Sequence, residues 1–166
     1  MNAGRTLCQV AFLTVLLVGS TAAAQDWNHY ANDDLGLSML TPSDTRVVSE
    51  KLGPDWAGVI AKKTDGLIVY GLAQLGKKPD SKTIQAFAAK HTGIALTHWE
   101  SIDTGKRKRG FEWFEAAIAS HKGQSLVATW GQGPKGAYLV LLQAPTKHFE
   151  AHKEDYKVWY RNVTVR

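Results

Sequence analysis

Cysteine is all but missing from this chain: the single one, Cys8, lies in the first two dozen residues, and none follows it. Beyond that point disulfides, thiol catalysis, CxxC redox chemistry and cysteine zinc sites are excluded. Long hydrophobic runs are missing too. The longest, residues 7–18, falls short of the roughly 20 residues that a bilayer-spanning helix needs. No linker, internal repeat or low-complexity segment interrupts the remainder, and no complete catalytic motif occurs in it.

What is present begins with an address. Arg5, the apolar residues 7–18 and Ala22-Ala23-Ala24 before Gln25 read as the n-region, h-region and cleavage site of an export signal. Residues 1–24 are expected to be removed, leaving residues 25–166 as one periplasmic or secreted domain with no transmembrane segment. Cys8 lies in the h-region, not at the cleavage point where a lipid-modified protein would need it. A chain of about 140 residues can bury enough core to fold without disulfides, as in a bacterial envelope. All 15 acidic residues and all but one of the 20 Lys and Arg lie after residue 24, so that part carries a net +4. This balance suits an anionic lipid, peptidoglycan or an acidic protein as partner; nucleic acid is not expected of an exported chain.

The stretch 110–143 organises the rest. Residues 111–119, 126–130 and 137–142 are strand-like and are separated by Ser120-His121-Lys122-Gly123 and by Gly131-Gln132-Gly133-Pro134-Lys135-Gly136, an antiparallel meander. In its last strand Leu139 and Leu141 point one way and Tyr138, Val140 and Leu142 the other, so both faces of the sheet need cover. Upstream, residues 25–32 read as a lead-in, 35–40 as a strand ended by Thr41-Pro42, and 46–51 as a more polar strand. Residues 56–62 and 67–75 form a hairpin through Thr64-Asp65-Gly66. Asp80 or Ser81 caps a helix with Ile84, Phe87, Ala88 and His91 on one face and Gly93 as its stop. Residues 95–102 return as a strand and 103–110 as a link. Pro145-Thr146 starts a second helix with Phe149, His152, Tyr156 and Trp159 or Tyr160 in a stripe, and Val163 and Val165 end the chain as a short strand. The expected fold is α+β: an antiparallel sheet of about six to eight strands flanked by two main helices.

With Tyr30 and Asp34-Leu35-Gly36-Leu37-Ser38-Met39-Leu40-Thr41-Pro42 at one end and Tyr156-Lys157-Val158-Trp159-Tyr160-Arg161-Asn162-Val163 at the other, the chain resembles the Mog1/PsbP-like superfamily over most of residues 30–166. The resemblance implies a sheet sandwiched by helices and a binding or assembly role, because members are mostly non-enzymatic: photosystem extrinsic subunits, a Ran-binding protein, bacterial envelope proteins and chaperones for secreted effectors. It carries over no catalytic residue and no cofactor.

The candidate chemistry is sparse. Residues 131–136 match GxGxxG, but Pro134 and a following strand make the segment a hairpin turn instead of a dinucleotide loop. Gly71 and Gly76-Lys77-Lys78 nearly match a phosphate loop, yet Lys78 stands where a Ser or Thr must ligate magnesium. Ser125 follows Gly123, but Val127 fills the second glycine position of GxSxG. Glu115 shares a face with Phe111, Trp113 and Ala117 and could serve a small hydrolase, alone or with a histidine; Glu112, three residues away, points to the opposite face. His148 and His152, with Asp155, have spacing that suits a divalent metal on one helix face, although a third ligand is not fixed. Lys106-Arg107-Lys108-Arg109 is expected to project four cations from a turn, flanked by Trp99 and Trp113 as aromatic neighbours for an anionic surface. The leading expectation is therefore a non-enzymatic envelope protein that binds a protein or an anionic envelope component. A hydrolase built on Glu115 and a metal-binding accessory protein are the alternatives.

Overall fold

The computed structural model describes residues 25–166, so the expected export signal at residues 1–24 lies outside them. Among the described residues the strands are β1 Trp27–Asn32, β2 Leu37–Pro42, β3 Val47–Leu52, β4 Trp56–Lys62, β5 Ile68–Leu75, β6 Trp99–Lys108, β7 Phe111–His121, β8 Gln124–Gly133, β9 Gly136–Pro145 and β10 Thr164–Val165. Helix α1 is Ser81–Thr92, α2 Thr146–Ala151 and α3 Lys153–Trp159. Seven strands form one antiparallel sheet in the order β3-β4-β5-β9-β8-β7-β6, and β1-β2-β10 form a smaller one.

The apolar alternation of β9 dictates this arrangement. Ala137, Leu139 and Leu141 pack with Leu72, Leu126 and Ala128 beneath Ile84 and Ala88 of α1. Tyr138, Val140 and Leu142 pack on the opposite face with Leu37, Met39, Phe149, Tyr156 and Trp159. Each large apolar side chain buried this way is worth about 1.5–3 kcal/mol, so neither face could be left to water. Helix α1 covers the first face while carrying the chain from β5 to β6 at the far edge, and the β6–β9 meander returns to pair with β5. Asp80 caps α1 by accepting from the Thr83 N–H at 2.8 Å, and Gly93, left-handed, ends it. The second crossing, by α2 and α3, delivers β10 to β2. Two buried polar groups join the layers: the Trp159 indole N–H donates to the Leu40 carbonyl (3.1 Å), and the Tyr138 hydroxyl to that of Leu35 (3.1 Å).

Four sequence-based expectations change. Residues 25–32 are not a mere lead-in: β1 pairs with β2, and the Trp27 ring meets Tyr156 edge-on at 6.2 Å. Its polar outward residues hid it. The strand placed at 95–102 starts later and runs on to Lys108, after a 3-10 turn at Leu96–His98, and an irregularity between Ser101 and Asp103 breaks its alternation. The C-terminal helix is two helices divided at His152, whose φ of −120° leaves the helical range. Phe111 lies with Phe114 in the core opposite the one that Trp113 and Ala117 pack against, so it does not share their face.

The glycines of the 131–136 segment follow from packing. A Cβ on Gly131 would stand 2.1 Å from the Trp113 carbonyl oxygen and 2.9 Å from Phe114 Cα, and one on Gly133 would stand 2.6 Å from Val165 Cγ2. The segment is the tip of the β8–β9 hairpin, with Pro134-Lys135 as the turn and its glycines in the two strands. Because the obstacle at residue 131 is backbone, Gly131→Ala should cost about 1–3 kcal/mol in urea unfolding, as overpacking does. An alanine variant with an unchanged midpoint would show that β7 and β8 can separate at no cost.

Candidate functional site

The basic run does not form the four-cation tip that its composition suggests. Lys106, Arg107 and Lys108 are exposed on the last residues of β6, an edge strand, where lysines also discourage pairing with another chain. The turn itself is only Arg109-Gly110, both with positive φ (56° and 82°), as a two-residue I′ hairpin requires. Arg109 folds inward. Its guanidinium lies 4.2 Å from the Phe114 ring centroid and 5.4 Å from that of Tyr160, and Nη1 donates to the Tyr160 carbonyl at 2.5 Å. The Val165 N–H donates to the Arg109 carbonyl at 2.9 Å, so the hairpin is fastened to the C-terminal segment. Burial pushes the Arg109 pKa down against the pull of Asp103 and Tyr160, but guanidinium keeps its charge at any physiological pH.

The two tryptophans part company. Trp113 stands opposite Lys106 in the β6–β7 register. Trp99 is at the far end of β6, about 20–25 Å along the strand. There its indole N–H donates to the Ile94 carbonyl (3.0 Å) and its ring meets Trp130 at 5.9 Å. It belongs to the core beside α1 and not to the basic end.

Glu115 borders a small hollow of about 130 Å³ together with Trp99 and Trp130. Its Oε2 accepts from Gln85 Nε2 at 3.1 Å, and no second titratable group lines that hollow. An acid–base pair is not assembled there. Glu112 pairs with Lys78, at the entrance to α1.

The histidines are drawn into a different group from the expected one. His148 Nε2 lies 3.3 Å from Asp65 Oδ2 and Nδ1 lies 3.2 Å from the Tyr156 hydroxyl, while the His152 ring is 4.9 Å away, centroid to centroid. Asp155 is exposed; Asp65, from the β4–β5 turn, takes the place foreseen for it. Among the described residues no three His, Asp or Glu groups are placed to hold a metal ion. Lys63, 3.4 Å from Asp44 and 3.5 Å from Asp65, lies in the adjoining hollow of about 350 Å³. Burial works to raise the Asp65 pKa, but the Leu67 N–H, His148 and Lys63 outweigh it and hold the carboxyl below its ordinary value.

A third hollow, about 430 Å³, lies between α3 and the strands β6 and β7. Lys153, Lys157 and Arg161 line it, spaced four residues apart and hence on one side of the helix and its 3-10 extension. Ile102 and Ile118 supply its apolar surface, the buried Tyr160 lies beneath them, and Glu100 is the one acidic residue in the lining. Tyr160 is the pivot. Its hydroxyl donates to Asp103 Oδ2 at 3.0 Å and accepts from Arg161 Nε at 3.5 Å, and the Arg161 guanidinium stands 5.8 Å from the same ring that Arg109 faces. In the sequence this stripe is masked by the aromatic stripe interleaved with it, and the four-residue spacing of the cations is its signal.

No family model matches the chain, and no curated protein does. Among solved structures it is similar to the solution structure of cyanobacterial PsbP (CyanoP) from Synechocystis sp. PCC 6803, over 89% of this chain and 96% of that one, with a TM-score of 0.58 and 13% identity. The fold is PsbP-like. At that identity the likeness is one of architecture, and the PsbP-like frame accounts for the helix-flanked sheet without assigning a role to any side chain in the three hollows.

Two outcomes follow from this geometry. Arg109→Lys keeps the charge but loses the planar contact with Phe114 and the fixed bond to the Tyr160 carbonyl, and should lower stability by about 1–3 kcal/mol in denaturant unfolding. A midpoint equal to the wild type would mean that the hairpin is held by Val165 alone. Asp65 has a folded pKa below 3.8, so its contribution is complete above that value and is lost as pH falls through the depressed one. Asp65→Asn should therefore unfold earlier than the wild type at about pH 6, and the gap should narrow as the pH falls through the depressed carboxyl value. A gap independent of pH would exclude the charge as its source.

Proposed function

We propose that this protein is an exported, non-catalytic binding module that engages an anionic component of the envelope through the cleft between α3 and β6. One observation carries the reading: three cations at one-turn spacing and a single carboxylate face each other across an apolar surface. The exposed Lys106, Arg107 and Lys108 lie on the strand that forms one wall and extend the same sign of charge beyond it. The PsbP-like fold supports a binding role because the sandwich spends its large aromatics on its two cores and leaves recognition to its surface.

The hydrolase reading has less support, since Glu115 is bonded to an amide and not to a second acid or base. The metal-binding reading has less as well, because both ring nitrogens of His148 are already engaged.

The test compares two ligands with the same chain and different charge, dodecyl phosphate and dodecylphosphocholine, both as monomers, by calorimetry. The phosphate monoester should bind about tenfold more tightly or better. Lys153→Gln/Lys157→Gln/Arg161→Gln should abolish that preference, whereas Lys106→Gln/Arg107→Gln/Lys108→Gln should reduce it only modestly and in a salt-dependent way. Equal affinity for the two ligands, or a preference untouched by the α3 variant, would end the proposal.

A further inference from the structure

We infer, resting on the reading above, that the cleft takes a monomeric anionic amphiphile, with its alkyl chain on the Ile102–Ile118 surface and its anionic head at Arg161. A bare anion would leave that surface wet. Ile102 and Ile118 are only partly buried, although they pack against the main core, and they stand where α3 does not close over the sheet edge. Covering them with methylenes is favourable by the same apolar burial that holds the sheet to its helices.

The cations are not equivalent. Lys153 is bonded to Glu150 of α2 (2.8 Å) and Lys157 to Glu154 within α3 (3.1 Å). Arg161 makes no ion pair within 4 Å among the described residues; its Nε meets only the Tyr160 hydroxyl, so the fork of its terminal nitrogens remains for a ligand. A guanidinium fork matches a phosphate or carboxylate edge, while the lysine stems offer methylenes along the wall. Glu100, on the opposite wall, disfavours a second negative charge in the cleft and so favours a ligand charged at one end. The hollow of about 430 Å³ has room for one small molecule, which makes a single extracted amphiphile the occupant to test against a bilayer surface.

The experiment is a chain-length series on the wild-type protein, which needs no variant to fold. Ethyl, butyl, octyl and dodecyl phosphate are titrated as monomers, with inorganic phosphate and with phosphatidylglycerol vesicles as separate arms. Affinity should rise about three- to four-fold per methylene while the chain is inside the cleft and then level off. Methyl resonances of Ile102 and Ile118 should shift with the longer ligands. Arg161→Gln should weaken every member of the series by about the same factor and leave the slope unchanged.

If inorganic or ethyl phosphate binds as well as dodecyl phosphate, the alkyl chain is excluded while the cationic reading stands. If dodecylphosphocholine matches dodecyl phosphate along a normal slope, the cationic reading falls and an apolar cleft remains. Binding to vesicles with none to the monomers would overturn the cleft in favour of a surface contact, and no binding in any arm would overturn both.

Discussion

Everything in this molecule follows from the double-sided burial of β9. A strand whose Tyr138, Val140 and Leu142 face one way and whose Leu139 and Leu141 face the other, all without exposure, cannot sit on a two-layer fold. The chain has to cross the sheet twice, once on each side. The first crossing, through α1, fixes β6 at the sheet edge because the meander must come back to β5. The second brings α3 over the other face and ends at β10 on β2. The cleft between α3 and β6 is the geometric remainder of that second crossing, where a helix of seven residues passes over the sheet and the edge strand runs on past it.

The charge in the cleft has the same origin. Tyr156, Trp159 and Tyr160 must face the core, so the next side of the helix falls to residues that can meet water, and there the chain has placed Lys153, Lys157 and Arg161. Like charges so arranged repel one another, and the chain offsets this unevenly. Glu150 and Glu154 neutralise the two lysines locally at little gain, as exposed pairs do. Arg161 and Arg109 approach one ring, Tyr160, and Asp103 holds that ring's hydroxyl. The result is an arginine resting on the Tyr160 hydroxyl beside an apolar surface, next to the Arg109 contacts that fasten the β6–β7 hairpin to the C-terminus.

Much of the frame was legible in the sequence, because apolar alternation and turn chemistry act locally. The meander, both caps of α1, the β4–β5 hairpin and the PsbP-like architecture could be read from residue order, and the opposite faces of β9 from its alternation. What could not be read depended on partners distant in sequence. β1 looks polar because one face meets solvent, and only its pairing with β2 makes it a strand. Arg109 reads as one of four turn cations until Phe114 and Tyr160 are brought beneath it. Asp65 has nothing in its neighbourhood to announce a histidine from a segment 83 residues later. The cleft was hidden for the same reason, since Ile102 and Ile118 read as ordinary strand residues and Lys153, Lys157 and Arg161 as an ordinary solvated helix face.

The three hollows differ in a way that bears on which of them can receive a ligand. Around Lys63 the charges already satisfy one another: one ammonium stands between two aspartates, and the second of these also meets His148, so an incoming ion would first have to break those pairs. Beside Glu115 the carboxylate has its amide partner and the space is small. In the α3–β6 cleft Arg161 has no ion pair within 4 Å among the described residues, and Ile102 and Ile118 next to it are incompletely covered. A ligand there displaces no existing pair, and it removes apolar area from water at the same time as it meets the charge. Polar pairing alone contributes little to net affinity in water, because it exchanges one set of hydrogen bonds for another. Apolar burial beside a guanidinium with no ion pair within 4 Å among the described residues escapes that cancellation, which makes this cleft, the least self-satisfied of the three, the one where binding has most to gain.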